Sequence, residues 1–191
     1  MLKNHSKFML IFIVISILIL SFQPSFAAKA DLDDIGPKLK ALGLLIGDPD
    51  GNMRFQDKIS RAEFAVIAAR LIGKEEEALT RKGTTIFIDV PKDHWASGHI
   101  NVSVENRLIV GYDDGTFKIK NDITYGEVLT ILVNALGYGS EVPPENWPIN
   151  FVQKAGELGI TKDMVFDNKA PATRGDVARM LNNSLTVKLK R

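Results

Sequence analysis

Three stretches of the chain carry apolar residues at intervals of three and four positions, with polar residues between them. This spacing places the apolar residues on one face of a helix, so each stretch predicts an amphipathic α-helix. The apolar positions are Phe64, Ile67, Ala68 and Leu71, then Val128, Ile131, Leu132 and Ala135, then Val177, Met180 and Leu181. A partner helix is predicted before each, over about 35–42, 96–108 and 147–158. Asp93 and Asn146 are the expected N-caps of the second and third partner helices.

The first two helix pairs are copies of one unit, because matching residues recur at a constant offset of 64 positions. Gly51 corresponds to Gly115, and Glu63 corresponds to Glu127. A third copy carries Asp176 at the position of these glutamates, after a shorter loop. One such helix pair cannot bury its apolar face alone, so the three copies are expected to share a core. The sequence therefore predicts a mainly α fold of three helix-loop-helix repeats.

The three predicted repeats are separated by two linkers of different composition. The expected boundaries are 28–73 for repeat 1, 74–86 for a charged linker, 87–138 for repeat 2, 139–146 for a Pro/Gly-containing linker and 147–187 for repeat 3. The charged linker is expected to prolong the helix before it as far as Gly83. Minor β pieces in the loops, around 53–55 and 116–117, remain an open alternative.

The first 27 residues have the features of a secretory signal peptide. Lys3 and Lys7 precede an uncharged apolar run over 8–20, and Ala27 ends a small-x-small cleavage site. The apolar run is shorter than the roughly 20 residues that a membrane-spanning helix requires. We therefore expect export with cleavage after Ala27, or after Ala30, and no membrane association once the signal is removed.

Charge and composition narrow the classes of function. Cleavage leaves 22 of the 24 Lys and Arg residues against 23 acidic residues, and this balance argues against nucleic-acid binding. The chain has no cysteine, which excludes disulfides, thiol nucleophiles and cysteine metal sites. His94 and His99 are five positions apart, a poor spacing for one metal ion on a helix, so no metal and no cofactor is predicted.

A hydroxyl residue followed three positions later by an acid opens the second helix of every copy. The pairs are Ser60 with Glu63, Thr124 with Glu127, and Thr173 with Asp176. This spacing is that of a capping box, in which the hydroxyl accepts a hydrogen bond from one backbone N–H and the acid from another. We expect a structural capping role for all six residues.

Arg61 and Arg174 follow the capping hydroxyls of the first and third copies. Capping needs no particular residue there, and a cation beside the positive end of a helix is mildly unfavourable. A guanidinium close to open backbone N–H groups suits a bound carboxylate, which it contacts through two parallel hydrogen bonds. The alternative is a solvated surface arginine.

Three aromatic residues are candidates for sugar contacts. Trp95 and Trp147 lie in the predicted first turns of their helices, and Tyr112 lies in the Asp-Gly turn of the second copy. One interpretation buries most of their area in the core, and the other leaves them half exposed and able to stack on a sugar ring.

The motif residues of the second copy resemble the S-layer homology family. They are Phe87, Asp89, Val90, His94, Trp95, Ala96, Gly111, Tyr112, Asp114, Gly115, Thr116 and Phe117. The signature at the second helix is Ser60-Arg61-Ala62-Glu63 in the first copy and Thr173-Arg174-Gly175-Asp176 in the third. The resemblance extends over nearly the whole chain after the signal peptide.

The resemblance implies a pseudo-threefold helical bundle that holds exported proteins non-covalently on a bacterial cell wall. Its ligand would be a secondary cell-wall polysaccharide, often carrying a ketal-linked pyruvate, bound in grooves between repeats by the signature arginine. This sequence departs from the pattern, because the first copy lacks the aromatic start and Tyr125 replaces the arginine of the second. At most two grooves therefore keep their arginine.

The sequence is thus interpreted as a non-catalytic wall-binding module at the cell surface. Arg61 and Arg174 would clamp an anion, with Trp95, Trp147 and Tyr112 lining the grooves. The expected partners are the wall polysaccharide and, secondarily, other S-layer or envelope proteins. A first alternative is an envelope protein–protein interaction module without glycan affinity. A second is a small wall hydrolase that uses acids such as Asp114 and Glu127.

Overall fold

A computed structural model describes residues 24–190, with side chains from residue 31 onward. The predicted signal peptide lies outside the described residues except for 24–27, which belong to the first helix. The chain divides into two units, Met1–Asp34 and Ile35–Arg191. No helix within the described residues is long and apolar enough to cross a membrane.

The described residues form seven α-helices and one short 3-10 helix. The helices are α1 (Pro24–Ala41), α2 (Arg61–Leu71), α3 (Glu75–Thr80), α4 (Ser97–Glu105), α5 (Tyr125–Ala135), α6 (Ile149–Glu157) and α7 (Arg174–Ser184), with the 3-10 helix at Gly139–Glu141 between α5 and α6. The prediction of a mainly α fold is confirmed.

The predicted apolar faces of the second helices form the core. Phe64 of α2, Leu132 of α5 and Leu181 of α7 are each completely buried. Helix α5 packs against α2, α6 and α7, while α4 packs against α2 and α3. Helices α2, α4, α5, α6 and α7 thus each pack against a helix of another copy, because one pair alone cannot cover its apolar face.

Three backbone hydrogen bonds close a ring at the point where the copies meet. Ile59 donates to the Ala172 carbonyl at 3.2 Å, Ala172 donates to the Ile123 carbonyl at 2.8 Å, and Ile123 donates to the Ile59 carbonyl at 2.9 Å. All three residues are buried and lie two positions before the first residue of α2, α5 or α7. The ring gives the copies a pseudo-threefold arrangement and brings the three helix starts together.

The minor β structure lies outside the segments that the sequence suggested. Within the described residues, 53–55 and 116–117 form no strand. Isolated β-bridges instead join the segments that precede the second helices, pairing Lys58 with Thr173, Ser60 with Asp122, and Thr124 with Pro171. These bridges flank the central ring, where backbone from a different copy supplies the partner.

Two local predictions about helix boundaries are wrong. Helix α2 does not continue through 74–82, because the chain turns at Gly73 with φ 72° and then starts the separate helix α3. Asp93 and Asn146 are not N-caps, since α4 is capped by Ala96 and α6 by Pro148, without a side-chain bond. A turn in which Ser97 donates to the His94 carbonyl precedes α4 and delays its start.

Candidate functional site at the repeat junctions

The caps of the three second helices form the frame of the site. Ser60 Oγ accepts from the Glu63 N–H at 3.2 Å, and Glu63 Oε2 accepts from the Ser60 N–H at 2.8 Å. Thr124 and Glu127 form the same complete capping box. At α7 the Thr173 hydroxyl accepts from the Asp176 N–H at 3.1 Å and donates to Oδ2 of the same aspartate at 2.7 Å. Each cap thereby fixes a carboxylate at the start of its helix.

Arg61 joins the first copy to the second. Its side chain is only 4% exposed. Nε donates to the Phe117 carbonyl at 2.8 Å and Nη2 to the Val110 carbonyl at 3.0 Å, so the guanidinium holds both ends of the turn between α4 and α5. Nη1 donates to Glu127 Oε1 at 2.5 Å. The arginine therefore binds the loop and the capping acid of the neighbouring copy.

Arg174 repeats this arrangement between the third copy and the first. Nε donates to the Met53 carbonyl at 3.0 Å, and Nη2 donates to the Ile46 carbonyl at 2.9 Å. Nη1 lies 3.5 Å from Glu63 Oε1, and the side chain is 5% exposed. Arg174 thus contacts the first copy at the positions that correspond to the contacts of Arg61 in the second.

The N–H groups beside the arginines are not open, and this expectation from the sequence is wrong. The Arg61 N–H donates to the Asn121 carbonyl at 2.9 Å, and the Arg174 N–H donates to the Asp57 carbonyl at 2.8 Å. Backbone from the neighbouring copy therefore satisfies the first N–H of each helix. A bound carboxylate would have to meet the arginine side chains themselves.

The third junction carries Tyr125 where the other two carry arginine. The Tyr125 ring stacks on Phe166 with centroids 5.0 Å apart, and its hydroxyl donates to Asp176 Oδ2 at 2.5 Å. Burial and the hydrogen bond to Asp176 raise the pKa of Tyr125 above its usual value. The tyrosine keeps the bond to the capping acid of the next copy without a guanidinium.

A cleft of about 460 Å³ lies beside Arg61, and we call it the Trp147 cleft. Trp147 is 56% exposed on its wall, and its indole N–H donates to Thr130 Oγ1 at 3.0 Å. The Tyr112 hydroxyl donates to Glu127 Oε1 at 2.9 Å. Burial and this bond to Glu127 raise the pKa of Tyr112 above its usual value.

A cleft of about 220 Å³ occupies the corresponding place beside Arg174, and we call it the Trp95 cleft. Trp95 on its wall is 55% exposed. Glu63 and Arg70 of the first copy also line it, as does Arg54 from the preceding loop. The offset of 64 relates the two clefts, because it maps Glu127 to Glu63 and Asn134 to Arg70.

The structure distributes the five predicted binding residues over the two clefts. Arg61, Tyr112 and Trp147 line one, and Arg174 and Trp95 line the other. Both tryptophans are half exposed, so the interpretation that buries most of their area in the core is wrong. Their indole surfaces are large, partly apolar and open to a ligand, as stacking on a sugar requires.

Among the cleft residues that sequence reasoning missed are Arg54, Arg70 and Thr130. They lie outside the family motif, and the apolar periodicity of α2 and α5 passes over them. The constant offset of 64 was the available signal. The offset places Arg70 and Asn134 at equivalent positions of α2 and α5. A motif residue that lines a cleft therefore predicts that other residues on the same face of its helix line that cleft too.

The acids proposed for a hydrolase do not share a cleft. Asp114 Oδ1 accepts from the Thr116 N–H at 3.0 Å and from its hydroxyl at 2.6 Å in an exposed turn. These bonds from Thr116 lower the pKa of Asp114. Glu127 lines the Trp147 cleft and is engaged by Arg61 and Tyr112. From residue 31 onward, no group of three His, Asp or Glu residues is placed to hold a metal ion.

Comparison with known proteins identifies this arrangement. The family model for the S-layer homology domain matches residues 38–65 and 87–129. The chain is 38% identical to a middle cell wall protein of Brevibacillus brevis over 84% of its own length and 15% of the relative's. It is 36% identical to a surface layer protein of Brevibacillus choshinensis, over 80% of the chain and 13% of that protein.

A third relative is named for anchoring. A cellulosome-anchoring protein of Acetivibrio thermocellus is 30% identical over 74% of the chain and 35% of its own length. The chain thus spans about a third or less of these relatives. Their names support the expected location in the cell wall at the cell surface. On the family match, these relatives and the three signature helices, the chain belongs to the S-layer homology domain family.

Proposed function

We propose that this chain binds the secondary polysaccharide of a bacterial cell wall non-covalently, through the Trp147 and Trp95 clefts. The observation that carries the proposal is one half-exposed tryptophan beside a buried, fixed arginine at each of two equivalent junctions. A cell-surface anchoring role is supported by the family and by relatives in walls, surface layers and a cellulosome. The glycan ligand and the assignment of the clefts are our inference.

The Trp147 cleft offers the chemistry of a lectin site. The exposed indole surface of Trp147 would pack against the apolar C–H face of a sugar ring. Thr130 lies beside the indole, and its Oγ1 can accept one further hydrogen bond from a sugar hydroxyl. This hydroxyl does not have to move into place, because the bonds to the Trp147 indole and the Gly126 carbonyl already orient it.

The signature arginines would serve the ligand in two ways. A guanidinium has five N–H donors, and the bonds to Phe117, Val110 and Glu127 use three of those on Arg61. The remaining two belong to a side chain that is only 4% exposed, so contact with the carboxylate of an acidic sugar such as a pyruvate ketal is the smaller contribution. The larger contribution of Arg61 and Arg174 is to hold the turn and the capping acid that form each cleft.

A binding test must separate ligand contact from folding. The chain purified after export is sedimented with cell-wall sacculi of the producing bacterium, with the polysaccharide attached and after its removal. Trp95→Ala combined with Trp147→Ala leaves the buried arginines intact. We expect the wild type to sediment only with intact sacculi and the double variant to remain in solution.

The matched control also tests the protein-interaction alternative. Ile86 and Ile88 are exposed on either side of the buried Phe87, and neither lines the two clefts. A surface of this kind favours contact with another envelope protein. Ile86→Ala combined with Ile88→Ala should sediment like the wild type. Loss of sedimentation in this variant, with retention in the tryptophan variant, would favour the protein-interaction module and contradict glycan binding.

A further inference from the structure

The two clefts differ at positions that the pseudo-threefold arrangement makes equivalent. Helix α5 presents Asn134 to the Trp147 cleft, and helix α2 presents Arg70 to the Trp95 cleft at the same position of the repeat. A neutral amide at one site therefore corresponds to a cation at the other. The family signature does not include this position.

The signature arginines make the same backbone contacts in both clefts and differ only in the distance from Nη1 to the capping glutamate, which is 2.5 Å for Arg61 and 3.5 Å for Arg174. Arg61 and Arg174 each donate Nε and Nη2 to two backbone carbonyls and lie beside a capping glutamate. Each side chain is 5% exposed or less. Any charge preference must come from residues that reach further into the clefts.

Arg70 is such a residue, with 22% of its side chain exposed. Nε donates to Glu75 Oε2 at 3.0 Å and Nη2 donates to Glu75 Oε1 at 3.2 Å. Glu75 is held in turn by Nε2 of the buried His99 at 3.2 Å. The carboxylate engages one edge of the guanidinium, and Nη1 remains on the other edge. The Arg70 side chain is therefore ordered before a ligand arrives, which lowers the entropy cost of binding.

The residues in the loops before α5 and α2 increase the difference between the two clefts. In the second copy Lys118 lies 3.7 Å from the centroid of the Tyr112 ring and 3.9 Å from Asp114, and it does not line the Trp147 cleft. The first copy has Asp48 at the position of Tyr112, so no ring holds Arg54. Arg54 reaches to within 3.5 Å of Glu63 and lines the Trp95 cleft.

The charged side chains on the cleft walls differ accordingly. The Trp147 cleft is lined by two cations and two acids, which are Arg61, Arg107, Asp113 and Glu127. The Trp95 cleft is lined by three cations and one acid, which are Arg54, Arg70, Arg174 and Glu63. Glu75 lies behind Arg70 and Asp57 lies 3.8 Å from Arg54, so the difference between the clefts rests on Arg70 itself and not on net charge. A carboxylate placed in the Trp95 cleft meets the guanidinium edge of Arg70, where the Trp147 cleft has the neutral amide of Asn134.

We propose that Arg70 makes the Trp95 cleft selective for the acidic residue of the wall glycan, while the Trp147 cleft accepts a neutral sugar. One chain would thereby bind two different residues of a polysaccharide. This inference rests on the proposed glycan-binding function and adds a division of ligand class between the two clefts. Arg70 is its specificity-determining residue.

The two tryptophans allow each cleft to be observed separately. They are the chain's only tryptophans, and each lines one cleft, so two indole N–H signals in a ¹⁵N-labelled sample report the two sites. The probes are the methyl glycoside of an N-acetylhexosamine carrying a 4,6-pyruvate ketal, and the same glycoside without the ketal. The Kd at each cleft is obtained from the shift of its indole signal.

The ketal is expected to tighten binding at Trp95 at least about tenfold, the effect of one charge-assisted hydrogen bond, and to leave the Kd at Trp147 nearly unchanged. Arg70→Gln should abolish this preference at Trp95 without altering the titration of Trp147. Arg70→Lys keeps the charge without the fork and should give an intermediate Kd. Asn134→Arg should create a preference for the ketal in the Trp147 cleft. The backbone spectrum of each variant reports its fold.

Equal preference for the ketal at both clefts, or an unchanged Trp95 titration in a folded Arg70→Gln variant, would overturn the inference. The sacculus assay separates the two levels of the proposal. If sedimentation depends on the polysaccharide and either of these results is obtained, the glycan-binding function stands. Only the proposed division of ligand class between the two clefts is then overturned. Failure to sediment with intact sacculi overturns the glycan-binding function and this inference with it.

Discussion

The junction formed by Arg61 and the junction formed by Tyr125 occupy equivalent places in the molecule and carry different side chains at the first position of the helix. Both side chains hydrogen-bond the capping acid of the next copy, Glu127 for the arginine and Asp176 for the tyrosine. The arginine also donates to two backbone carbonyls, whereas the tyrosine ring stacks on Phe166. A contact with the capping acid is therefore common to all three junctions, as an ion pair of 3.5 Å at Arg174, and only the arginines also hold the neighbouring turn.

This difference separates two tasks of the family signature. Joining one copy to the next needs a hydrogen-bond donor at the first position of the helix, and a phenol supplies it as well as a guanidinium. Fixing the turn beside a cleft needs the planar guanidinium group of arginine, which can donate to two carbonyls and a carboxylate at once. The clefts with tryptophan walls lie at the two arginine junctions.

The largest expected effect is that of Arg61→Ala. The change removes the cation that faces Glu127 Oε1 and leaves the carbonyls of Phe117 and Val110 without the guanidinium donors. Breaking a buried charged pair on one side costs about 3–5 kcal/mol, so we expect a loss of this size in the free energy of unfolding. Denaturant titration followed by circular dichroism measures it.

Lys58→Ala is the matched control for Arg61→Ala. Lys58 forms an ion pair with Asp122 at 3.4 Å, which joins the same two copies at the protein surface. Exposed pairs contribute about 0–1 kcal/mol, so this variant should be close to the wild type. Equal losses in the two variants would show that the buried fork does not hold the copies together.

Tyr125→Phe tests the third junction and should have a smaller effect. The ring can still stack on Phe166, and only the hydrogen bond to Asp176 is lost. A bond to a charged acceptor is worth about 1.5–3 kcal/mol, so we expect a loss near the lower limit in the same titration. Tyr138→Phe removes an exposed bond to the Lys188 carbonyl and serves as the control. A loss as large as that of Arg61→Ala would contradict the division of tasks.

The cap beneath each junction is expected to contribute about 1 kcal/mol. Ser60→Ala removes the acceptor of the Glu63 N–H and one of the two donors that hold the Glu63 carboxylate beside Arg174. Ser60→Thr keeps the hydroxyl and should restore most of the stability. Calorimetry of the two variants measures the difference, and identical melting temperatures would show that the cap is not formed in solution.

Alkaline pH should weaken the Tyr125 hydrogen bond at the third junction and leave the guanidinium bonds of Arg61 and Arg174 intact. The folded state raises the pKa of Tyr125, so its contribution is complete below the unfolded value near 10 and is lost as the pH rises above it. Arginine stays protonated throughout this range. The stability advantage of the wild type over Tyr125→Phe should shrink between pH 9 and 11. A constant advantage across that range would contradict the direction of the pKa change.

The sequence predicted well the features that depend on residues close to one another in the chain. The helical periodicity around Phe64 or Val128 and the capping spacing of Ser60 and Glu63 are local signals, and the structure contains both the helices and the boxes. The offset of 64 also related the first two copies correctly, since it superposes the lining of the two clefts.

The errors concern partners that are far away in sequence. Backbone of Asn121 and Asp57 satisfies the first N–H of α2 and α7, and no local pattern announces this. The exposure of Trp95 and Trp147 depends in the same way on how neighbouring copies meet. Asp93 is of a residue type that favours N-caps. Helix α4 nevertheless starts only at Ser97, after the turn at His94, because it packs there against α2 and α3.

The most direct test of glycan binding at the arginine junctions is a crystal structure of the exported chain with a defined fragment of the wall polysaccharide. The account predicts sugar density against Trp147 and Trp95, in contact with the clefts that Arg61 and Arg174 hold open. It predicts none at the Tyr125 junction. Density confined to that junction, or to a surface remote from both tryptophans, would contradict it.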